Sequence, residues 1–293
     1  MKQPLVQTTN DDTKVVLITG CAKGGIGYEY CKAFAARGCT VYATDIPDRM
    51  PDLADLTSDI IAGSGAVHAL DLDVSSDVSV STAVAHILSK HAKIDILVNN
   101  AGISSTGPLS ELPLAAIQKT YEVNALGQLR MIQQVVPHMA ARKSGCIVNV
   151  GSIVGKAPTP WAGSYCAAKA YVHAISHVLR VELRPFNVDV VLVRPGAVRS
   201  SFGINALNRL KDYEWKMYGE FKEAIEERAR ASQGGKSTAA GEFARHVAGK
   251  VLSRNPPRTV EYGHMTALFN FLSWAPLWVR DMFFARRFKV VLR

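Results

Sequence analysis

The chain has 293 residues, 48% hydrophobic and 20% charged, a balance that argues against disorder and for a buried core. Its longest uncharged apolar stretch, residues 266–279, is shorter than a membrane span and contains Pro276, which argues against a spanning helix. The net charge is +9, but the basic residues form no long run, so no nucleic-acid partner is expected. Short runs rich in β-branched residues then mark strands in chain order: Val15–Thr19, Thr40–Thr44, Ala66–Leu70, Asp95–Asn99, Cys146–Val150 and Asp189–Val193, with a weaker candidate at Thr259–Tyr262. Helix-length amphipathic stretches lie between them, at Ile26–Arg37, Asp77–His91, Leu114–Met139, Gly163–Leu183 and about Thr238–Ser253.

Strand alternating with helix implies a parallel sheet covered on both faces. Right-handed crossovers make that an α/β, doubly wound, Rossmann-type fold of about seven strands in a single domain. The expected boundaries are a polar extension over residues 1–13, the domain over 14–262, and an aromatic, basic C-terminal extension over 263–293. Residues 200–236 interrupt the alternation with Phe202, Trp215, Tyr218 and Phe221 among many charges. They read as a helical insert at a strand's carboxyl end, the position of a substrate lid.

The first dozen residues lack the apolar core of a signal peptide, so secretion is not expected. Five cysteines at irregular spacing, with no CxxC pair, suggest neither a disulfide framework nor a zinc knuckle. A cytoplasmic setting fits, or one peripheral to an intracellular membrane.

The first strand runs into Thr19-Gly20-Cys21-Ala22-Lys23-Gly24-Gly25-Ile26-Gly27 and then a helix. Strand, glycine loop and helix in that order suit a dinucleotide pyrophosphate: glycine lets the backbone come close, and the helix N-terminus offers free N–H groups. A glycine-rich turn without a ligand is the alternative. Asp45, 18 residues beyond Gly27, can accept bonds from both adenosine ribose hydroxyls and would repel a 2′-phosphate, which favours NAD. Lys23 points the other way, toward NADP. Gly234-Gly235-Lys236-Ser237-Thr238 imitates a triphosphate loop, but position 230 is Arg and no strand precedes it. It reads as a turn before the next helix.

Tyr165 and Lys169 stand four apart and share a helix face. A nearby cation favours phenolate, so Tyr165 is a candidate acid/base for alcohol and ketone chemistry. Ser152 and Asn99-Asn100-Ala101-Gly102 follow predicted strands. Asn124 lies inside a predicted helix, and Pro195-Gly196-Ala197-Val198-Arg199-Ser200 follows the sixth strand.

Over about residues 14–200 this ordered set resembles the short-chain dehydrogenase/reductase family. The resemblance implies an oxidoreductase that interconverts a secondary alcohol and a ketone. It implies a catalytic tetrad: Asn124 holding a water in a proton relay, Ser152 orienting the substrate oxygen, Tyr165 as acid/base, and Lys169 binding the nicotinamide ribose and tuning Tyr165. It also implies dinucleotide contacts at Gly20, Gly25, Ile26 and Gly27, at Asp45, at Asp73 and Val74 beside adenine, and at Asn100, Ala101 and Gly102. Pro195, Gly196, Val198 and Ser200 would face the nicotinamide carboxamide. The glycine loop departs from the family pattern, with four residues between Gly20 and Gly25 where three are usual.

The variant loop and the segment Phe271 to Phe288 look like a fungal subgroup related to 1-acyl-dihydroxyacetone-phosphate reductase, whose members usually carry a basic pair where this chain has Asp45-Ile46. NAD(H) with a terpenoid, steroid-like, polyketide or lipid substrate is therefore the expectation, in a role such as fungal secondary metabolism. An NADPH-dependent lipid-ketone reductase at a membrane surface is the alternative, and a dinucleotide sensor without turnover is an alternative of another class. A homodimer or homotetramer is expected from the family.

Several features keep plainer readings. His173 and His177 are four apart on the Tyr165 helix, but no third ligand is evident, so no metal is expected. Cys166 points away from its neighbour Tyr165 and reads as packing. The aromatic stripe from Phe269 to Phe288, with Arg280, Arg286, Arg287 and Lys289, reads as core or subunit packing, with peripheral membrane contact as the other reading.

Overall fold

The computed structural model describes residues 13–58, 65–211 and 213–290; the expected extension over residues 1–13 lies outside them except for its last residue. In chain order the elements are β1 (Val15–Thr19), α1 (Ile26–Ala35), β2 (Thr40–Asp45), α2 (Ala54–Ser58), β3 (Val67–Asp71), α3 (Asp77–His91), β4 (Ile96–Asn99) and α4 (Leu114–Tyr121). Then come α5 (Gly127–Arg142), β5 (Gly145–Val150), α6 (Gly163–Glu182), β6 (Val188–Pro195), β7 (Val198–Arg199), α7 (Ser201–Leu210), α8 (Lys222–Ala229), β8 (Thr238–Ala239), α9 (Ala240–Val251), β9 (Thr259–Tyr262), α10 (Thr266–Trp274) and α11 (Leu277–Arg287).

Seven strands form one parallel sheet in the order β3-β2-β1-β4-β5-β6-β9. The order reverses between β1 and β4, which opens a crevice at the strands' carboxyl ends. One face is covered by α1 and α9 through Tyr30, Phe34 and Phe243, and the other by α3, α5 and the end of α6 through Ile87, Met131 and Leu183. Both faces being dry explains why β1 and β4 read as unbroken apolar runs. β3 is the exception. Read from sequence as buried, it is an edge strand with His68 and Ala69 exposed, because only β2 pairs with it.

The run 114–142, expected as one helix to residue 139, is broken by a π-helical turn over Glu122–Leu126. The interruption predicted after the sixth strand is helical, built from α7, a 3-10 turn at Gly219–Phe221 and α8. The two-stranded β7–β8 sheet closes its base. The C-terminal helices pack one face inward: Phe269, Leu272, Phe284 and Phe288 join Trp161, Ile153 and Ile225 in a third apolar cluster. Glu261 of β9 anchors them, accepting from Arg194 of β6, Lys156 and Asn270 of α10. No helix among the described residues is long and apolar enough to cross a membrane.

Candidate active site

A cavity of about 560 Å³ occupies the crevice beyond the strand ends, within the size range of small-molecule sites. One end is walled by Asp45, Ile46, Asp73 and Val74, the middle by Gly20, Gly25, Ala101 and Gly102, and the far end by Ser152, Tyr165, Lys169 and the loop from Pro195 to Ser200. Phe269, Phe283, Phe284 and Phe288 roof that far end with aromatic surface.

The glycine loop is set by contact. A Cβ on Gly27 would lie 2.2 Å from the Gly20 carbonyl oxygen, and one on Gly20 would lie 2.7 Å from Ala101 Cα, distances that real side chains do not reach. Gly20 and Gly24 take positive φ, at 73° and 81°. The extra residue is absorbed in a tight turn in which Gly25 N–H donates to the Ala22 carbonyl at 3.0 Å. Asn100 ties this loop to β4: its Nδ2 donates to the carbonyls of Thr19 and Gly20, each at 2.9 Å. Thr19 Oγ1 accepts from the Asn100 and Ala101 N–H groups.

Asp45 ends β2 at the cavity edge. Burial raises its pKa, against the lowering effect of bonds from the Ile46 and Ala22 N–H groups. Asp73 holds Ser75 through its backbone N–H and hydroxyl and lines the same end. Lys23, a candidate phosphate ligand from sequence, is exposed, pairs with Asp55 and is not part of the cavity wall. Arg49, which sequence reasoning passed over, does line the wall and pairs with Asp52.

At the far end, α6 presents Tyr165 and Lys169 on one face as the spacing predicts, with Lys169 Nζ 5.7 Å from the Tyr165 ring centroid. Lys169 is 3% exposed and its Nζ donates to the Val150 carbonyl at 2.8 Å, and burial lowers its pKa to about 8. The lowering expected for Tyr165 is outweighed. Burial dominates and raises it to about 12, while Arg228 and a hydrogen bond with Ser152 pull downward. Ser152 Oγ accepts the Val154 N–H at 3.3 Å, so Ser152 caps the turn after β5. Asn124 sits in the π-turn outside the cavity wall, with its side chain bonded at both ends to Ile103, each at 2.7 Å. Its amide braces the backbone next to Gly102.

Residues 14–209 match the short chain dehydrogenase family. The chain belongs to that family.

Among its relatives is the short-chain dehydrogenase virD of Hypocrea virens, 33% identical over 95% of this chain and 94% of that protein. The NADPH-dependent 1-acyldihydroxyacetone phosphate reductase of Saccharomyces cerevisiae is 29% identical over 94% and 92%. A solved short chain dehydrogenase/reductase from Burkholderia phymatum, in complex with NAD, superposes with a TM-score of 0.76 at 22% identity over 94% and 96%.

This short-chain dehydrogenase also has site contacts that carried no sequence signal. Asn99 Nδ2 donates to Asn149 Oδ1, Asn149 Nδ2 to Ser176 Oγ, and Ser176 to the Val172 carbonyl. This buried chain couples β4 and β5 to the helix bearing Tyr165. His173 is buried beneath Ser152, whose N–H donates to Nε2 at a long 3.4 Å, and burial pushes its pKa down to about 3. It is a neutral acceptor, and Cβ atoms on Gly151 or Gly155 would meet its ring at 2.6–2.7 Å. His177 instead faces Arg180 and Arg194. No group of three His, Cys, Asp or Glu side chains converges among the described residues. Arg209 and Arg228 line the cavity from α7 and α8.

Proposed function

We propose that the protein is an NAD(H)-dependent oxidoreductase that interconverts a secondary alcohol and a ketone on a hydrophobic small molecule, with Tyr165 as acid/base. The convergence of Ser152, Tyr165 and Lys169 on one cavity wall, in line with the glycine loop, carries this reading. The residues present fit a dinucleotide: the loop has no room for side chains at Gly20 and Gly27, and a carboxylate stands at each side of the β2–β3 end. When bound, such a cofactor supplies the hydride donor or acceptor. Ser152 Oγ would hold the substrate oxygen. Tyr165 keeps its proton at neutral pH and would deliver it to that oxygen in reduction. Oxidation requires its pKa to fall, and Arg228 and Ser152 pull in that direction, with the Lys169 cation beside the ring. A role in fungal secondary metabolism belongs to the same reading, supported by resemblance to fungal relatives.

The second reading is an NADPH-dependent reductase of an acyl-dihydroxyacetone-phosphate type at a membrane surface. Arg49 on the cavity wall favours it, since a cation there suits a 2′-phosphate. The outer face of α10 and α11 also favours it: Phe271, Trp274, Leu277 and Trp278 are exposed, Trp274 by 88%, with Arg280 and Arg286 on the same helices. Exposed apolar side chains, Leu126 just before α5 and Val178 and Val181 on α6, suit the expected homo-oligomer; light scattering that finds only monomer removes that expectation.

The deciding experiment is a fluorescence titration with NADH and with NADPH, followed by turnover of Tyr165→Phe. The reading expects binding in both proteins and turnover only in the parent. Turnover that survives within tenfold in Tyr165→Phe overturns the mechanism. Absence of dinucleotide binding overturns the oxidoreductase reading, and binding without turnover on any alcohol or ketone tested favours a sensor.

A further inference from the structure

The far end of the cavity carries positive charge without a carboxylate. The acids in the cavity wall, Asp45 and Asp73, both stand at the β2–β3 end, and no other Asp or Glu among the described residues lines it. Arg228, in the last turn of α8, and Arg209, in the last turn of α7, line the substrate side. Arg228 is half-buried and held in place. Its Nε donates to Thr159 Oγ1 at 2.9 Å, and its guanidinium lies 5.9 Å from the Phe288 ring centroid. Arg209 NH1 donates to the Ser104 carbonyl at 3.1 Å. Neither makes an ion pair among the described residues. The acids beside Arg228 on α8 are engaged elsewhere, Glu226 by Arg230 and Glu227 by Arg287 and Lys289.

A guanidinium that is partly desolvated, oriented through one nitrogen and lacking a carboxylate is suited to a bidentate anion. Surface cations gain little from such pairs, but one withdrawn into an apolar cavity gains more, because the surroundings screen it less. The same cavity is lined by Phe269, Phe283, Phe284 and Phe288, and Phe288 lies beside Arg228. Anion and apolar body are therefore accommodated side by side, and the charge of Arg228 already reaches Tyr165.

We infer that the substrate is an anionic amphiphile, an apolar body bearing a phosphate or carboxylate that Arg228 receives, with Arg209 assisting at the rim. This rests on the oxidoreductase reading above, since it names the substrate class of that same site. The reactive carbon would lie at Tyr165 and the anion on the α8 side of the cavity.

The test is calorimetric titration of the full chain with octyl phosphate, octanoate and octanol, with and without saturating NADH or NADPH. At least one anion should bind ten times or more tighter than octanol, a difference of about 1.4 kcal/mol. The larger of the two advantages identifies phosphate or carboxylate as the group received. Arg228→Gln should cut the advantage below threefold and leave octanol affinity unchanged. Arg228→Lys should retain more of it, and Arg209→Gln should lower it less. Equal binding of octanol and both anions overturns the inference, as does an advantage that survives in Arg228→Gln. So does displacement of the anion by dinucleotide, which would put it at the glycine loop. Dinucleotide binding is read in the same titrations, so failure of the oxidoreductase reading is seen separately. If Arg228→Gln does not fold, the comparison rests on Arg209→Gln and on Arg228→Lys.

Discussion

The carboxylate of Asp45 accepts the backbone N–H of Ala22 at 2.7 Å, so the end of β2 and the glycine loop are held by one group. The side chain that reads as the ribose ligand is also a brace for the phosphate loop. Its pKa is raised by burial, so the site pays desolvation for a carboxylate that a ribose diol would help to satisfy.

Replacing Asp45 by Asn keeps an acceptor for Ala22 and removes the charge. NADH binding should weaken about tenfold, a difference of about 1.4 kcal/mol, while NADPH binding improves. Fluorescence titration of both nucleotides checks this. Unchanged selectivity would mean that Asp45 serves only the loop, and Arg49→Gln would then show whether Arg49 decides for NADPH.

Gly27→Ala tests the tightness of the loop. Alanine is the better helix former by about 1 kcal/mol, yet its Cβ would lie 2.2 Å from the Gly20 carbonyl. The melting temperature should fall, and dinucleotide affinity should drop by two orders of magnitude or more. A variant that binds within twofold of the parent would show that the loop relaxes freely.

Lys169 offers a pH test. Its pKa is lowered in the folded protein, from 10.5 to about 8. Below pH 8 both folded and unfolded states carry the charge, and the folded state bears the full burial cost. Between 8 and 10.5 the unfolded state binds more protons, so stability rises with pH. Lys169→Met should therefore be inactive yet more stable at pH 7 by roughly 1–3 kcal/mol, with the gain fading through that window. Urea unfolding of both proteins at pH 7 and pH 10.5 measures it. A constant difference would show that the charge is not the cause.

The outer face of α10 and α11 predicts adsorption to vesicles containing anionic lipid. Trp274→Ser with Trp278→Ser should remove it, and salt should weaken it through Arg280 and Arg286. Sedimentation with phosphatidylserine and phosphatidylcholine vesicles checks this. Loss of dimer in place of vesicle binding would mean that the face belongs to a second copy.

The strand pattern was legible because parallel strands are buried on both faces, and period and β-branching report that burial. β3 was misjudged as buried because composition does not say which strand ends the sheet. Tyr165, Lys169 and Ser152 were legible because helix spacing and strand ends fix where they point. Asn124 was located but not its contacts, since one residue of surplus in a helix leaves no mark in composition. The bond of His173 to Ser152 and the Asn99–Asn149–Ser176 chain were silent for a related reason: they join elements far apart in sequence. Arg228 was hidden among 34 basic residues until its lack of a carboxylate could be seen.

The π-turn at Glu122–Leu126 has a consequence for how this chain tolerates length changes. Within it Asn124 holds Ile103, and just past it Gly127 packs so closely on Val74 that a Cβ would lie 2.8 Å away. Deleting one residue from 122–126 would restore a regular helix, but would turn everything on one side of the cut by about 100°. Either Asn124 or the buried Met131 and Ile132 would then face the wrong way. A loop absorbs a deletion locally; here a single lost residue is a rotation transmitted along four turns of α5.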